Sequence, residues 1–292
     1  MREEIYMPFY SIVDNKLVYL EKYTICELPK EEYIRKRILE DEGAILLKNK
    51  KNETSINQRI LVIEPHPDDF ALSALGYIND NMQVTVLNIF SNMKLDSFTW
   101  KESIKIDENE YEQLRLKESK IAIEQILNYK FISLKEKSMK INKDSVKSIQ
   151  NKIICNLTKI IENYSIDTLM IPMGIGNHID HITVYNAVMN NYIELLNKNI
   201  RVIFYPEYPY ARCKKSYIER LETIKQNYKL KLQVVNVENK IDNIVNCVAV
   251  YRSQYDDINK KQMLAIIRED CRAIATEYKK EKISLAYYEL ER

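Results

Sequence analysis

From residue 59 to about residue 205, short apolar runs alternate with longer segments in which apolar residues recur every three or four positions. The short runs, rich in Ile, Val and Leu, are typical of buried strands, and the longer segments are typical of amphipathic helices. This order predicts an α/β fold with a parallel sheet wound on both faces, and ligands beyond the carboxyl ends of its strands. The predicted strands are 59–65, 83–91, 131–134, 167–173 and 201–207, and the predicted helices are 70–80, 111–128, 144–164 and 180–198.

The residues before this region are less regular. We expect residues 1–58 to form an N-terminal extension packed on an edge of the sheet, and residues 59–292 to form a single domain. Within the extension, alternating apolar residues on either side of Asp14 and Asn15 predict a hairpin, followed by a helix at 30–43.

Two further segments lie outside the alternating pattern. After residue 207 a polar segment leads into a smaller α+β part, with a strand near 229–237, two helices within 238–281 and a last strand at 284–290. The stretch 92–110 is a long polar connection between a strand and a helix. Connections of this length are uncommon unless they bind or cover a ligand, so we predict a substrate-covering loop there.

Charge and cysteine content exclude several classes of protein. The formal net charge is +2, from 44 basic and 42 acidic side chains, so no overall field attracts nucleic acid or a membrane surface. The five cysteines are an odd number without a CxxC pair, which argues against a disulfide framework or a cysteine zinc site. No uncharged stretch approaches the roughly 18 residues of a membrane span. We expect a cytoplasmic protein without a membrane span, and the sequence leaves a homo-oligomer open.

All three histidines of the chain follow predicted strands, in the segments PHPDD and GNHIDH. His66 and Asp69 are three residues apart in one turn, so an imidazole nitrogen and a carboxylate oxygen can converge on one cation. His181 can supply a third ligand from the start of a later helix. Three ligands of this kind leave a position for water, as in catalytic zinc sites, whereas structural zinc is usually held by four protein ligands. Iron, cobalt and manganese also bind such sites.

The neighbouring residues suggest catalytic roles. If Asp69 binds the metal, Asp68 leaves the turn in another direction and can act as general base on the water that the metal activates. His178 is placed to serve as general acid near the oxyanion and the leaving nitrogen. Asp180 can hydrogen-bond a histidine and fix its tautomer. As a simpler alternative, Asp144 and Asp180 are plausible helix N-caps, and His and Asp are common there.

PHPDD and GxHxDH in this order resemble the PIG-L/LmbE-like superfamily of zinc-dependent N-deacetylases, which act on N-acetylglucosaminyl-phosphatidylinositol and N-acetylglucosamine conjugates. The resemblance runs from Arg59 onward, and weaker similarities lie at 115–127, 205–211 and 251–254. It implies a Rossmann-like three-layer fold with a mostly parallel central sheet, here with an N-terminal extension and a smaller C-terminal α+β part. It also implies that zinc is bound by His66, Asp69 and His181, with Asp68 as general base and His178 as general acid or oxyanion stabiliser.

The chain departs from the family pattern at two positions. Phe70 stands where many members have a glutamate directly after the two aspartates. Gly176 stands where some members have a tyrosine two residues before the motif histidine. A tyrosine that stabilises the oxyanion would then have to come from another loop, as Tyr205, Tyr208 or Tyr210 could.

Substrate contacts are less clearly indicated. Arg115, Tyr208 and Tyr210 are candidates, but a helix arginine paired with Glu112 or Glu118 is an ordinary solvated face, and aromatics beside prolines usually fill a core. The resemblance implies a zinc hydrolase that deacetylates an N-acetylated amino sugar or its conjugate. The alternatives are a deacylase of a non-sugar N-acyl natural-product intermediate and a metal-bearing binding module without catalysis, which only Phe70 favours.

Overall fold

A computed structural model describes residues 6–13, 16–24, 56–95, 105–123, 129–139, 143–255, 258 and 260–291 of the chain. Near the N-terminus, β1 (Tyr6–Val13) and β2 (Lys16–Thr24) pair antiparallel, which confirms the predicted hairpin. The predicted helix at 30–43 and residues 96–104 of the predicted covering loop lie outside the described residues.

The remaining strands form one seven-stranded sheet, flanked by helices. The strands are β3 (Gln58–Glu64), β4 (Met82–Asn92), β5 (Tyr129–Lys137), β6 (Thr168–Pro172), β7 (Arg201–Tyr205), β8 (Leu230–Asn236) and β9 (Ser284–Leu290). The α-helices are α1 (Glu108–Ile123), α2 (Lys143–Tyr164), α3 (Ile179–Met189), α4 (Tyr192–Asn197), α5 (Lys214–Asn227), α6 (Ile241–Val248), α7 (Arg252–Tyr255) and α8 (Lys260–Glu277).

The order of the strands places a crevice at the centre of the sheet. The order is β5-β4-β3-β6-β7-β9-β8, and the five strands from β5 to β7 run parallel. Only β9 runs against the others, since it pairs antiparallel with both β7 and β8. The mostly parallel sheet is therefore confirmed. The chain leaves β3 toward one edge and later crosses to β6 on the other side, so the carboxyl ends of β3 and β6 flank the topological switch point.

Both faces of the sheet are covered, as the continuous apolar runs of its strands require. In β3, Ile60 and Val62 point into one core, and Leu61 and Ile63 point into the other; all four are fully buried. Residues of α1, α6 and α8 fill the first core, and residues of α2, α3 and α5 fill the second. The three-layer α/β fold is thus confirmed.

Helix α5 forms in the segment that the sequence pattern left as polar and unstructured. Its buried residues are Tyr217, Leu221 and Ile224, spaced by four and three positions along an otherwise polar helix. Such a narrow apolar stripe gives a weak sequence signal, although it is sufficient to bury one side of a surface helix.

Other boundaries also differ from the prediction. The predicted helix at 70–80 is a π-helix, Phe70–Ala74, followed by a single 3-10 turn, Leu75–Tyr77. The predicted helix at 180–198 divides into α3 and α4. The predicted N-caps are wrong, because α2 begins one residue before Asp144 and His178 occupies the N-cap of α3, which leaves Asp180 inside its first turn.

Among the described helices, none combines the length and the apolar character needed to cross a bilayer. The cysteines of the described part of the chain, Cys155, Cys213, Cys247 and Cys271, are all free thiols.

Candidate metal centre and active site

The PHPDD turn leaves β3 at the switch point and is held by its own backbone. The N–H groups of Asp68 and Asp69 both donate to the carbonyl oxygen of His66, at 2.8 and 3.2 Å. The Asp69 carboxylate accepts the backbone N–H of His66 at 2.8 Å. The prolines at 65 and 67 restrict φ on either side of the histidine. The turn therefore fixes His66 and Asp69 relative to each other.

The GNHIDH segment follows β6, the neighbour of β3. Gly174 and Gly176 both adopt positive φ, 83° and 73°, a region that glycine enters without steric cost. The chain reverses there, so that His178 caps α3 and His181 lies in its first turn. The two strand ends thereby bring His66, His178 and His181 together.

Three potential ligand atoms form a compact triangle. The distances are 3.8 Å from His66 Nδ1 to Asp69 Oδ2, 3.5 Å from Asp69 Oδ2 to His181 Nε2, and 3.2 Å from His181 Nε2 to His66 Nδ1. Ligand bonds of about 2.0 to 2.2 Å around a tetrahedral zinc ion separate neighbouring ligand atoms by about 3.3 to 3.6 Å. We call His66, Asp69 and His181 the cation triangle, because their spacing matches that of a shared ion.

Each histidine of the cation triangle contacts a buried carboxylate through its other ring nitrogen. His66 Nε2 lies 2.9 Å from Asp180 Oδ2, and His181 Nδ1 lies 3.1 Å from Glu207 Oε1. When these nitrogens donate their protons to the carboxylates, His66 Nδ1 and His181 Nε2 keep free lone pairs. Both lone pairs are on the nitrogens of the triangle. Metal-binding histidines adopt the same tautomers.

Glu207 is a site residue that sequence reasoning missed. Its fully buried carboxylate accepts the backbone N–H groups of Met173, Gly174 and Ile175, at 3.1, 2.5 and 3.2 Å, in addition to its contact with His181. The residue comes two positions after the end of β7, the strand beside β6. The sequence feature that could have indicated Glu207 is its position as a lone acidic residue among prolines and tyrosines after a buried strand.

Charge in the site favours a bound cation. Burial lowers the pKa of His66, which favours the neutral imidazole that a metal needs. Burial also lowers the pKa of His181, but the carboxylates of Asp69 and Glu207 outweigh it and raise this pKa to about 9. Burial raises the pKa of Asp69, the third member of the triangle. A positive charge between these carboxylates is therefore stabilised, and two nitrogens with one oxygen suit a divalent transition metal.

The Asp68 carboxylate contacts residues of α1 and α7. Its Oδ2 lies 3.3 Å from Arg115 Nη2 and 3.1 Å from the hydroxyl of Tyr255. Arg115 is 1% exposed and also donates to the carbonyl of Pro67 at 2.8 Å. The solvated helix face considered for Arg115 is therefore wrong, because the guanidinium lies against the PHPDD turn. Burial raises the pKa of Asp68, and Arg115 opposes this effect.

His178 stands beside the triangle and is half-buried. Its ring centroid is 5.0 Å from that of His66 and 5.2 Å from that of His181. A ring nitrogen from each of the three histidines lies within 4.8 Å of the others, so His178 is an alternative third ligand. Asp69 Oδ2 lies 3.8 and 3.5 Å from the two triangle nitrogens, and Asp69 is fixed by its own turn.

Of the three tyrosines considered after β7, Tyr210 lies at the site. Its ring is 5.9 Å from His178 and 5.5 Å from His181. Tyr210 packs beside Gly176, where an added Cβ would lie 3.5 Å from the Tyr210 ring, in ordinary van der Waals contact. Tyr205 donates to the carbonyl of Ile63, and Tyr208 packs in the first core.

Phe70, at the position where a glutamate was expected, is fully buried in the first core. A carboxylate is nevertheless present at this point, because Glu64 Oε2 accepts the backbone N–H of Phe70 at 3.2 Å. Glu64 is fully buried, and its pKa is raised well above the usual value, chiefly by burial and then by Asp69. Phe70 therefore serves the core, and the local backbone donor is satisfied from the end of β3.

Residues 61–192 match the protein family described as PIG-L: GlcNAc-PI de-N-acetylase. The matched region begins inside β3, ends just after α3, and contains both histidine segments. No curated protein matches the chain.

Solved structures share the fold over most of the chain. The zinc-inhibited form of teicoplanin deacetylase Orf2 is 19% identical, with a TM-score of 0.63 over 80% of this chain and 98% of that chain. N,N'-diacetylchitobiose deacetylase from Pyrococcus horikoshii is 13% identical, with a TM-score of 0.54 over 89% and 92%. A 4-carboxy-2-hydroxymuconate hydratase from Pseudomonas putida is 11% identical, with a TM-score of 0.54 over 80% and 95%. The hydratase shows that the fold also supports other reactions. Both histidine motifs lie in the matched region, so residues 61–192 of the chain are similar to the PIG-L family.

Proposed function

We propose that this protein is a zinc-dependent N-deacetylase that hydrolyses the acetamide of an N-acetylated amino sugar or its conjugate. The observation that carries the proposal is the cation triangle with Asp68 beside it, at the switch point of the sheet. The PIG-L family match favours deacetylation, and the named sugar or sugar-conjugate substrates of two similar structures favour an amino-sugar substrate.

In this proposal His66, Asp69 and His181 hold the zinc ion, and Asp180 and Glu207 hold the two imidazoles in the required tautomers. A zinc ion bound there would polarise the amide carbonyl and lower the pKa of a water molecule. Iron, cobalt or manganese could supply the same chemistry, because ligands of this kind accept each of them.

The catalytic steps assigned to the protein are proton transfers. Asp68 accepts a proton from the attacking water as the oxygen adds to the acetamide carbon. His178, at the edge of the site, donates a hydrogen bond to the developing oxyanion and then a proton to the departing amine nitrogen. Tyr210 lies next to His178, where we propose that it contacts the substrate. Arg115 is buried against Asp68 and Pro67, which supports a structural role over contact with the substrate.

The two alternative functions have less support. A non-sugar N-acyl substrate is not favoured, because the family description and both deacetylase structures name sugar substrates or sugar conjugates. A non-catalytic binding module was suggested by Phe70 alone, and the burial of Phe70 in the core removes that argument.

The experiment is release of acetate by purified protein loaded with one equivalent of zinc, iron, cobalt or manganese. The substrates are N-acetylglucosamine, a chitobiose conjugate, a glycolipid conjugate and non-sugar acetamides of similar size. We expect turnover of at least one amino-sugar compound and little turnover of the others. Hydrolysis of non-sugar acetamides alone would refute the substrate class, and bound metal without any hydrolysis would support the binding module.

The general base is tested with Asp68→Asn, which keeps the size of the side chain. We expect kcat to fall by about 10²- to 10⁴-fold, the range typical of a lost general base, while metal content stays the same. The exposed Asp80, altered in the same way, is the matched control. Near-normal turnover by Asp68→Asn with metal bound would remove Asp68 from this role.

A further inference from the structure

Helix α1 carries a polar stripe on its buried face. Tyr111, Arg115, Glu118 and Ser119 follow one another at spacings of four, three and one, which places them on one side of a helix. Each of them is at most 1% exposed. Buried polar groups require partners, so this stripe must face another polar part of the protein.

The partner of the stripe is the segment 251–255, which contains α7. The Glu118 carboxylate accepts both the backbone N–H of Ser253, at 3.0 Å, and its hydroxyl, at 2.5 Å. A helix of only four residues has little stability of its own, so these contacts fix its position. The stripe makes two more contacts with this segment, from the Tyr251 hydroxyl to Ser119 at 3.3 Å and from the Gln254 amide to Tyr111 at 2.5 Å.

This arrangement brings a tyrosine to the proposed general base. Tyr255, the last residue of α7, donates its hydroxyl to Asp68 Oδ2 at 3.1 Å, and Arg115 approaches the same oxygen at 3.3 Å. Among the described residues, nothing hydrogen-bonds to the other oxygen, Asp68 Oδ1. The tyrosine hydroxyl and the guanidinium therefore hold one oxygen and leave the second one to accept a proton.

We propose that Tyr255 is a positioning residue for the general base, anchored by the contact between Glu118 and Ser253; this inference rests on the proposed function. A carboxylate turns about its last bond with a broad, roughly twofold preference. A hydrogen-bond donor and a cation at one oxygen, approaching from different helices, restrict that rotation. Asp68 then presents Oδ1 in one orientation, and small displacements of a catalytic group are costly for the rate.

The test removes only the hydroxyl, in Tyr255→Phe. We expect kcat to fall about 10-fold, with KM and metal content unchanged, because the Tyr255 hydroxyl is bonded to Asp68 and to none of the proposed metal ligands. Tyr255→Phe should add almost no further loss to Asp68→Asn, since both changes act through the same group. Tyr278→Phe is the matched control, because it removes a hydroxyl that contacts other tyrosines, including Tyr288 at 2.8 Å, and no residue of the proposed site.

Three kinetic outcomes would overturn the inference. They are an unchanged kcat in Tyr255→Phe, a rise of KM alone, and the same fractional loss with and without Asp68→Asn. The second outcome would make Tyr255 a substrate contact, and the third would make its effect a general structural one. Loss of activity by Tyr278→Phe to the same extent would also count against a specific role.

A crystal structure of Tyr255→Phe supplies a readout that does not depend on activity. We expect the Asp68 carboxylate to rotate or to occupy two orientations in the variant, and one orientation in the parent protein. An unchanged carboxylate refutes the positioning role even if no substrate is found. Conversely, a reoriented carboxylate in a protein that hydrolyses no acetamide would refute the proposed function but would support the positioning of Asp68 by Tyr255.

Discussion

The cation triangle and the contacts of Asp68 share the PHPDD turn but are built in different ways. The triangle comes from the ends of two neighbouring strands, β3 and β6, with ligand atoms 3.2 to 3.8 Å apart. The contacts of Asp68 come from α1 and α7, where Arg115 and Tyr255 are far from the turn in sequence. The triangle therefore depends on the pairing of β3 with β6 and on the first turn of α3, whereas the proposed base depends on how two other helices pack.

Because the two parts are built differently, residues of one part should be replaceable without affecting the other part. A substitution in the triangle should remove the ion and leave the helices in place. A substitution in the helix contacts should impair Asp68 and leave the ion bound. Three substitutions test whether the metal site and the contacts of Asp68 are independent; they are given in order of decreasing effect on the site.

The largest effect is expected from Asp69→Ala, which removes one corner of the cation triangle. Metal affinity should fall by more than the roughly 10- to 100-fold typical of an outer partner, and acetate release should be lost. The measurement is metal content after dialysis against defined zinc concentrations. The matched comparison is His178→Ala, which should keep the metal while losing turnover. The opposite pattern would make His178, and not Asp69, the third ligand.

An intermediate effect is expected from Glu207→Gln, which keeps size but removes the charge beside His181. We expect metal affinity to fall by about 10- to 100-fold, because the imidazole loses the carboxylate that fixes its tautomer. Competition with a chromophoric chelator measures this affinity. Glu289→Gln is the control, because Glu289 pairs with Arg201 at the opposite end of β7. Equal losses in the two variants would point to general weakening of the sheet.

The smallest effect on the site is expected from Ile153→Ala in α2, a fully buried residue of the second core. The free energy of unfolding should fall by about 2 to 5 kcal/mol, since a cavity replaces the side chain. Metal affinity of the folded protein should not change. Urea unfolding followed by metal titration checks both, and a loss of affinity here would contradict the independence of the site from this core.

How much of the site could be predicted follows from how each part is built. His66, Asp69 and His181 could be found because parallel strands end at one edge of a sheet, so that residues after two strands meet. Glu207 could not, because its contact with His181 depends on the pairing of β6 with β7. Asp180 was expected to cap a helix or to orient a histidine; it does not cap α3, and its carboxylate lies on His66.

The fold shows the same limit. The parallel strands of the centre have continuous apolar runs, and their positions were predicted within a few residues. Helix α5 was missed because only Tyr217, Leu221 and Ile224 face the core, and the direction of β9 depends on pairing that no local pattern encodes. Arg115 was considered as a substrate contact or as part of a solvated helix face, whereas Asp68 and Pro67 provide it with buried partners.

The histidines of the triangle, His66 and His181, are 115 positions apart along the chain. An ion held by both would act as a reversible cross-link between the strands that precede the crossover, β3 to β5, and the strands that follow it, from β6 onward. At a free metal concentration 100 times the dissociation constant, such a link would add about 2.7 kcal/mol to the free energy of unfolding. The supply of metal in the cell would then set the lifetime of the folded chain as well as its activity.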